Sequence, residues 1–161
     1  MEKCVIILDG GSLGKNKFTE TAKRKPYWVW QINNKNVLSV LTRKLNWDEK
    51  RDKHYYEWLE KFDALSEEYW NFQYEYCCNM IKKFEDHGKA QILFIHNCKK
   101  ENKEKLQELY PELVYSILIV EDDRIDLGYS KTIRYKEDGF EETVLNVLDI
   151  LTKEMGKKNE I

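Results

Sequence analysis

The chain has 161 residues, 27 Lys and Arg against 29 Asp and Glu, and a formal net charge of −2. That length suits one domain spanning 1–161, and 5 Trp, 10 Tyr and 6 Phe supply a sizeable core. The near-neutral charge does not imply a nucleic-acid surface, and no apolar run approaches the roughly 20 residues that span a bilayer.

From the N-terminus, Cys4-Val5-Ile6-Ile7-Leu8 reads as a strand and ends at Asp9. No signal-peptide cleavage pattern precedes it, so a cytoplasmic protein is expected. A glycine-rich turn follows, then a helix from about Asn16. Trp28 to Ile32 alternates and suits an edge strand. Val37, Leu38, Val40, Leu41 and Leu45 form a helical stripe. From Tyr55 to Phe84, apolar residues recur in steps of three and four, as one long helix or two with a break near Ser66.

Gln91 to Ile95 and Ser116 to Val120 lack alternation, as strands buried on both faces do. Between them a helix covers about Lys103 to Tyr110, stopped by Pro111. Lys131 to Tyr135 alternates and suits a second edge. A last helix begins after Asp138-Gly139, and the tail 156–161 is expected to fray. Strands alternating with helices imply an α/β domain with a mainly parallel sheet. Cys4, Cys77, Cys78 and Cys98 include no C-x-x-C pair, and His54, His87 and His96 are scattered. No metal site is suggested.

The main chemical signal is Asp9-Gly10-Gly11-Ser12-Leu13-Gly14-Lys15 between the first strand and helix. Strand, glycine turn, Lys and helix are the context of a phosphate-binding loop. There backbone N–H groups and a helix N-terminus face an anion, and the Lys reaches the phosphates. Gly10, Gly11, Ser12, Gly14, Lys15 and Asn16 are the phosphate-binding candidates. The spacing departs from G-x-x-x-x-G-K-[ST]: Asp9 holds the first glycine position, and Asn16 and Lys17 follow the Lys. Lys17 would repel Mg²⁺.

Gly14-Lys15-Asn16-Lys17-Phe18 is similar to the G-K-D-T-F of P-loop nucleotide kinases of the deoxynucleoside monophosphate kinase and adenylate kinase type, especially phage-borne versions. Ile32-Asn33-Asn34, Asn46-Trp47-Asp48, Lys50-Arg51-Asp52, Ile92 to His96 and Ile117 to Val120 follow in the same order. The resemblance implies a P-loop kinase-like, five-stranded parallel sheet flanked by helices, with ATP and Mg²⁺ as cofactors. It also implies four replaced groups. Lys17 stands for the loop Thr, and Tyr56 and Cys98 stand for two arginines. Glu121 and Asp122 stand for the lid arginines. Arg51, Lys99 and Arg124 are the acceptor-side cations left to compensate.

Three functions stay open. A catalytically degraded kinase-like protein would bind a nucleotide or a protein partner, in a phage accessory or host-targeting role. An active (deoxy)nucleoside monophosphate kinase would use Lys15 on the donor phosphates, with Asp9 or another carboxylate helping to hold Mg²⁺. A protein-interaction module would use Trp70 and Tyr74, which fall off the main helical stripe.

Overall fold

Burial on both faces makes the first strand continuous and apolar. Cys4, Val5, Ile6, Ile7 and Leu8 are each fully buried. A computed structural model describes residues 3–44, 66–136 and 138–159. Its strands are β1 (Cys4–Gly10), β2 (Val29–Ile32), β3 (Ile92–His96), β4 (Val114–Val120) and β5 (Lys131–Arg134). Its helices are α1 (Ser12–Ala22), α2 (Asn34–Lys44), α3 (Ser66–Asp86), α4 (Lys100–Leu109) and α5 (Phe140–Asn159).

The five strands form one sheet in the order β2-β3-β1-β4-β5. Every neighbouring pair is parallel, so the protein is α/β with a fully parallel sheet. The two alternating strands, β2 and β5, occupy the edges. β1 lies at the centre, with Leu8 opposite His96 of β3 and Gly10 opposite Ile119 of β4.

Side chains of each strand alternate between two apolar layers. Val5, Ile7, Leu93 and Ile95 pack with Val37 and Leu41 of α2, Cys77 and Ile81 of α3, and Leu106 of α4. Ile6, Leu8, Ile92 and Phe94 pack with Phe18 of α1 and with Val144 and Leu148 of α5. The helices therefore cover both faces, α2 to α4 on one and α1 with α5 on the other. No helix among the described residues is long and apolar enough to cross a membrane.

Helix ends follow local chemistry. α3 begins at Ser66 with Glu67 and Glu68 in its first turn, where carboxylates suit the helix dipole. The Lys3 ammonium donates to the Phe84 carbonyl (2.5 Å), the Glu85 carbonyl (2.7 Å) and the His87 carbonyl, closing the C-terminal end of α3. The Arg24 guanidinium holds Glu141, at the start of α5, through two bonds of 2.5 and 3.2 Å. α5 runs from Phe140 to Asn159. Tyr55, Trp58, Leu59, Phe62 and Leu65 of the aromatic stripe lie outside the described residues.

Two glycines allow α1 to sit tightly on the sheet. Gly10 has φ +119°, and a Cβ there would stand 2.0 Å from the Ile119 carbonyl oxygen. Backbone cannot yield to that overlap as a side-chain tip can. Gly10→Ala is expected to lower the unfolding free energy by about 3 kcal/mol or more in urea titrations. Gly88→Ala, where nothing lies within 4 Å, should change it by no more than about 0.5 kcal/mol.

Candidate functional site at the carboxyl ends of the strands

β1 and β3 are adjacent, but the helices that follow them leave to opposite faces, α1 to one and α4 to the other. Such a switch point leaves a crevice between the carboxyl ends of the two strands, where open α/β sheets bind ligands.

The β1–α1 junction is shorter than the sequence suggests. β1 continues to Gly10, Gly11 is the N-cap, and α1 begins at Ser12 rather than near Asn16. The Lys15 amide donates to the Gly11 carbonyl at 3.1 Å, so Lys15 already lies in the first turn. Of the phosphate-binding candidates, Gly10 ends the strand, Gly11 caps the helix, and Ser12, Gly14, Lys15 and Asn16 are helical. The physical reason is close packing. A Cβ at Gly14 would stand 2.7 Å from Cγ2 of Ile119, so its absence lets α1 settle onto β4. No side chain caps α1, and the N–H groups of its first turn keep their affinity for an anion.

Lys15 is only 3 % exposed. Its ammonium donates to Oδ1 of Asn97, joining the helix after β1 to the loop after β3. Asn97 adopts φ +59°, a left-handed conformation that Asn tolerates better than most residues. Its amide donates to the Leu8 carbonyl at 3.3 Å, and its carbonyl accepts from Gln73 Nε2 at 3.0 Å. Gln73 in turn accepts from Asn102 Nδ2 at 3.3 Å. A buried polar chain thus runs from α1 through Asn97 to α3 and α4.

Asp9 ends the odd-numbered face of β1 and lies in the field of two cations, Lys15 and Lys103 of α4. Burial pushes its carboxyl up from the usual range, and a hydrogen bond from Tyr129 and the two lysines pull it back. Lys103 is also 3 % exposed, and its Nζ sits 3.5 Å from the centre of the Tyr129 ring, a close cation–π contact. Burial lowers the pKa of Lys15, opposed by Asp9. His96, 7 % exposed, is pushed down to about 4 by burial and by the Lys15 charge. Its Nε2 is buried without a hydrogen-bond partner among the described residues. Burial drives the Cys98 thiol up to about 12, which keeps it protonated.

The acceptor-side candidates Lys99 and Arg124 flank the crevice, the Lys99 amide donating to Gln73 Oε1 at 3.5 Å and Arg124 lying in the field of Tyr129, while their cations form surface ion pairs. Lys99 pairs with Glu101 at 3.8 Å, and Arg124 pairs with Asp126 at 3.6 Å. Arg51 lies outside the described residues. Glu121 and Asp123 pair with Lys136 and Arg134. Trp70 and Tyr74 are half-buried and pack against the core, and Lys105 Nζ lies 5.3 Å from the Tyr74 ring centre. Beside α1, a cavity of about 490 Å³ is lined by Lys17, Tyr135, Phe140 and Glu141, among others. The Lys17 ammonium lies 5.7 and 5.6 Å from the ring centres of Tyr135 and Phe140.

Sequence reasoning passed over Asn97, Gln73, Lys103 and Tyr129. An Asn directly after a strand was a usable signal for a left-handed turn, whereas Lys103 marked only the approximate start of a helix. Mg²⁺ is commonly held by one or two carboxylates together with substrate phosphates. Here the carboxylate at the crevice, Asp9, already answers two ammonium groups, Lys15 and Lys103, and those cations repel a divalent ion.

No protein-family model matches the chain, and no curated protein matches it. Among solved structures it is similar to a de novo designed protein of P-loop NTPase fold, at 13 % identity over 98 % of this chain and 96 % of that one, with a TM-score of 0.43. It is also similar to a gluconokinase from Sinorhizobium meliloti 1021, at 9 % identity over 99 % of this chain and 94 % of that one, with a TM-score of 0.36.

The depressed His96 pKa makes stability depend on pH. Between about pH 6.5 and 4 the unfolded chain takes up a proton that the folded chain refuses, so stability falls with pH through that window. Removing that proton uptake is worth up to about 3 kcal/mol, and Asp9, whose carboxyl is raised, opposes the trend at the acid end. Urea midpoints measured from pH 7.5 to 4 should fall less steeply for His96→Gln than for the unaltered protein.

Proposed function

We propose that the protein is a divergent P-loop kinase-like domain that binds a phosphate-bearing ligand, of nucleotide class, at the carboxyl ends of β1 and β3 and does not transfer its phosphoryl group. The observation that carries this reading is Lys15. A buried ammonium at the switch point, in the first turn of an uncapped helix, is suited to an anion.

The absence of transfer follows from charge. Phosphoryl transfer needs cations around the oxygens that gain charge, and losing one such donor costs on the order of 10²–10³ in rate. Lys99 and Arg124 are engaged in surface ion pairs, and the charge of the crevice lysines, Lys15 and Lys103, is already shared with the Asp9 carboxylate. The interaction-module reading draws less support, because Trp70 and Tyr74 pack against the core.

The test is a thermal melt against ATP, GTP, the deoxynucleoside triphosphates and the monophosphates. A ligand at about 100 times its Kd should add roughly 2.7 kcal/mol, a shift of several degrees. Lys15→Met should lose the shift. No shift with any nucleotide would overturn the reading. Turnover of the γ-phosphate that disappears in Lys15→Met would replace it with an active kinase.

A further inference from the structure

The crevice carries more buried positive charge than its neighbours balance. Lys15 and Lys103 are each 3 % exposed, and both act on the carboxylate of Asp9. Lys15 is bonded to the neutral oxygen of Asn97, and Lys103 is covered by the Tyr129 ring. Neither an amide oxygen nor a ring face supplies a full counter-charge, and a buried ammonium without one is costly. An anion between the two lysines would complete the balance.

Building on the phosphate-ligand reading above, we propose that Lys103 is a second ligand-binding cation, so that Lys15 and Lys103 together hold the phosphates without a divalent metal. Lys103 reaches this position because α4 leaves β3 toward the face that Asp9 occupies, while α1 brings Lys15 from the other. A divalent ion would have to enter a space already flanked by two ammonium groups, which repel it. The cover on Lys103 is not core packing. Tyr129 belongs to neither apolar layer and ends a run in which residues 121–128 are all exposed. Its hydroxyl donates to Asp9 and its neighbours Gly128 and Ser130 are bonded to Ser116, so a ligand on Lys103 would have to displace the ring face alone.

The experiment is calorimetric titration of the full chain with inorganic pyrophosphate and with ATP, once in EDTA and once in excess Mg²⁺. The affinity of the unaltered protein for ATP should differ by less than about threefold between the two conditions, and pyrophosphate should bind in EDTA. Lys103→Met should weaken binding by tenfold or more, and Lys103→Arg, which keeps the charge, should retain most of it. Binding that requires Mg²⁺ would overturn the inference and leave the phosphate-ligand reading standing. So would unchanged affinity in a folded Lys103→Met. If Lys103→Met does not fold, the EDTA comparison and Lys103→Arg decide the matter. No binding of either probe in either condition would overturn both readings together.

Discussion

Covering a parallel sheet on both faces leaves its polar groups few places to go. In this protein the strand interiors are apolar in both directions apart from Ser116 of β4, and β1 is hydrogen-bonded along both of its edges. The charged and amide side chains gather where the strands end and the helices depart. Asp9, His96 and Asn97 stand at those ends, and α1 and α4 each add a buried lysine. Much of the candidate site is a consequence of that constraint, since a buried ammonium survives only beside groups that answer it.

The short β1–α1 junction sets the geometry of this region. Gly10 turns the chain with a positive φ, and Gly14 lets α1 approach Ile119. With the helix so close, Lys15 reaches Asn97 instead of lying along a solvent-facing loop. Asn97 is itself held by Gln73 of α3, and Gln73 by Asn102 of α4. A loop residue and the side chains of two helices thus determine where one lysine points. The β4–β5 loop is different in kind. Its residues are exposed through Gly128, its charges pair with one another and with β5, and Tyr129 alone among residues 121–130 covers a buried cation. The crevice is thus walled by buried, hydrogen-bonded side chains on the α1 and β3 side and by a single ring from an exposed loop over Lys103.

Much of the architecture was legible in the residues themselves. The unbroken apolar runs of β1, β3 and β4 marked strands buried on both faces. The alternation of β2 and β5 marked the edges, where one side of each strand meets solvent. Pro111 after α4 and Gly139 before α5 marked helix ends by their own backbone chemistry. These features are local, because hydrophobic period and backbone preference act within a few residues. The glycine–lysine segment after β1 was likewise recognisable as the place where chemistry concentrates.

Local pattern could not say where α1 starts, since that depends on how closely a helix can approach a strand 105 residues further along the chain, at Ile119. Nor could it separate Lys103 from the other lysines of α4. Burial of that ammonium comes from the packing of α4 against the Asp9 face, and from a tyrosine contributed by a distant loop. Sequence by itself determined the elements, their order and the class of sheet, through periodicity and turn chemistry. Only the tertiary structure decided which charges share the crevice, because burial and electrostatic balance depend on side chains that meet from far apart in the chain.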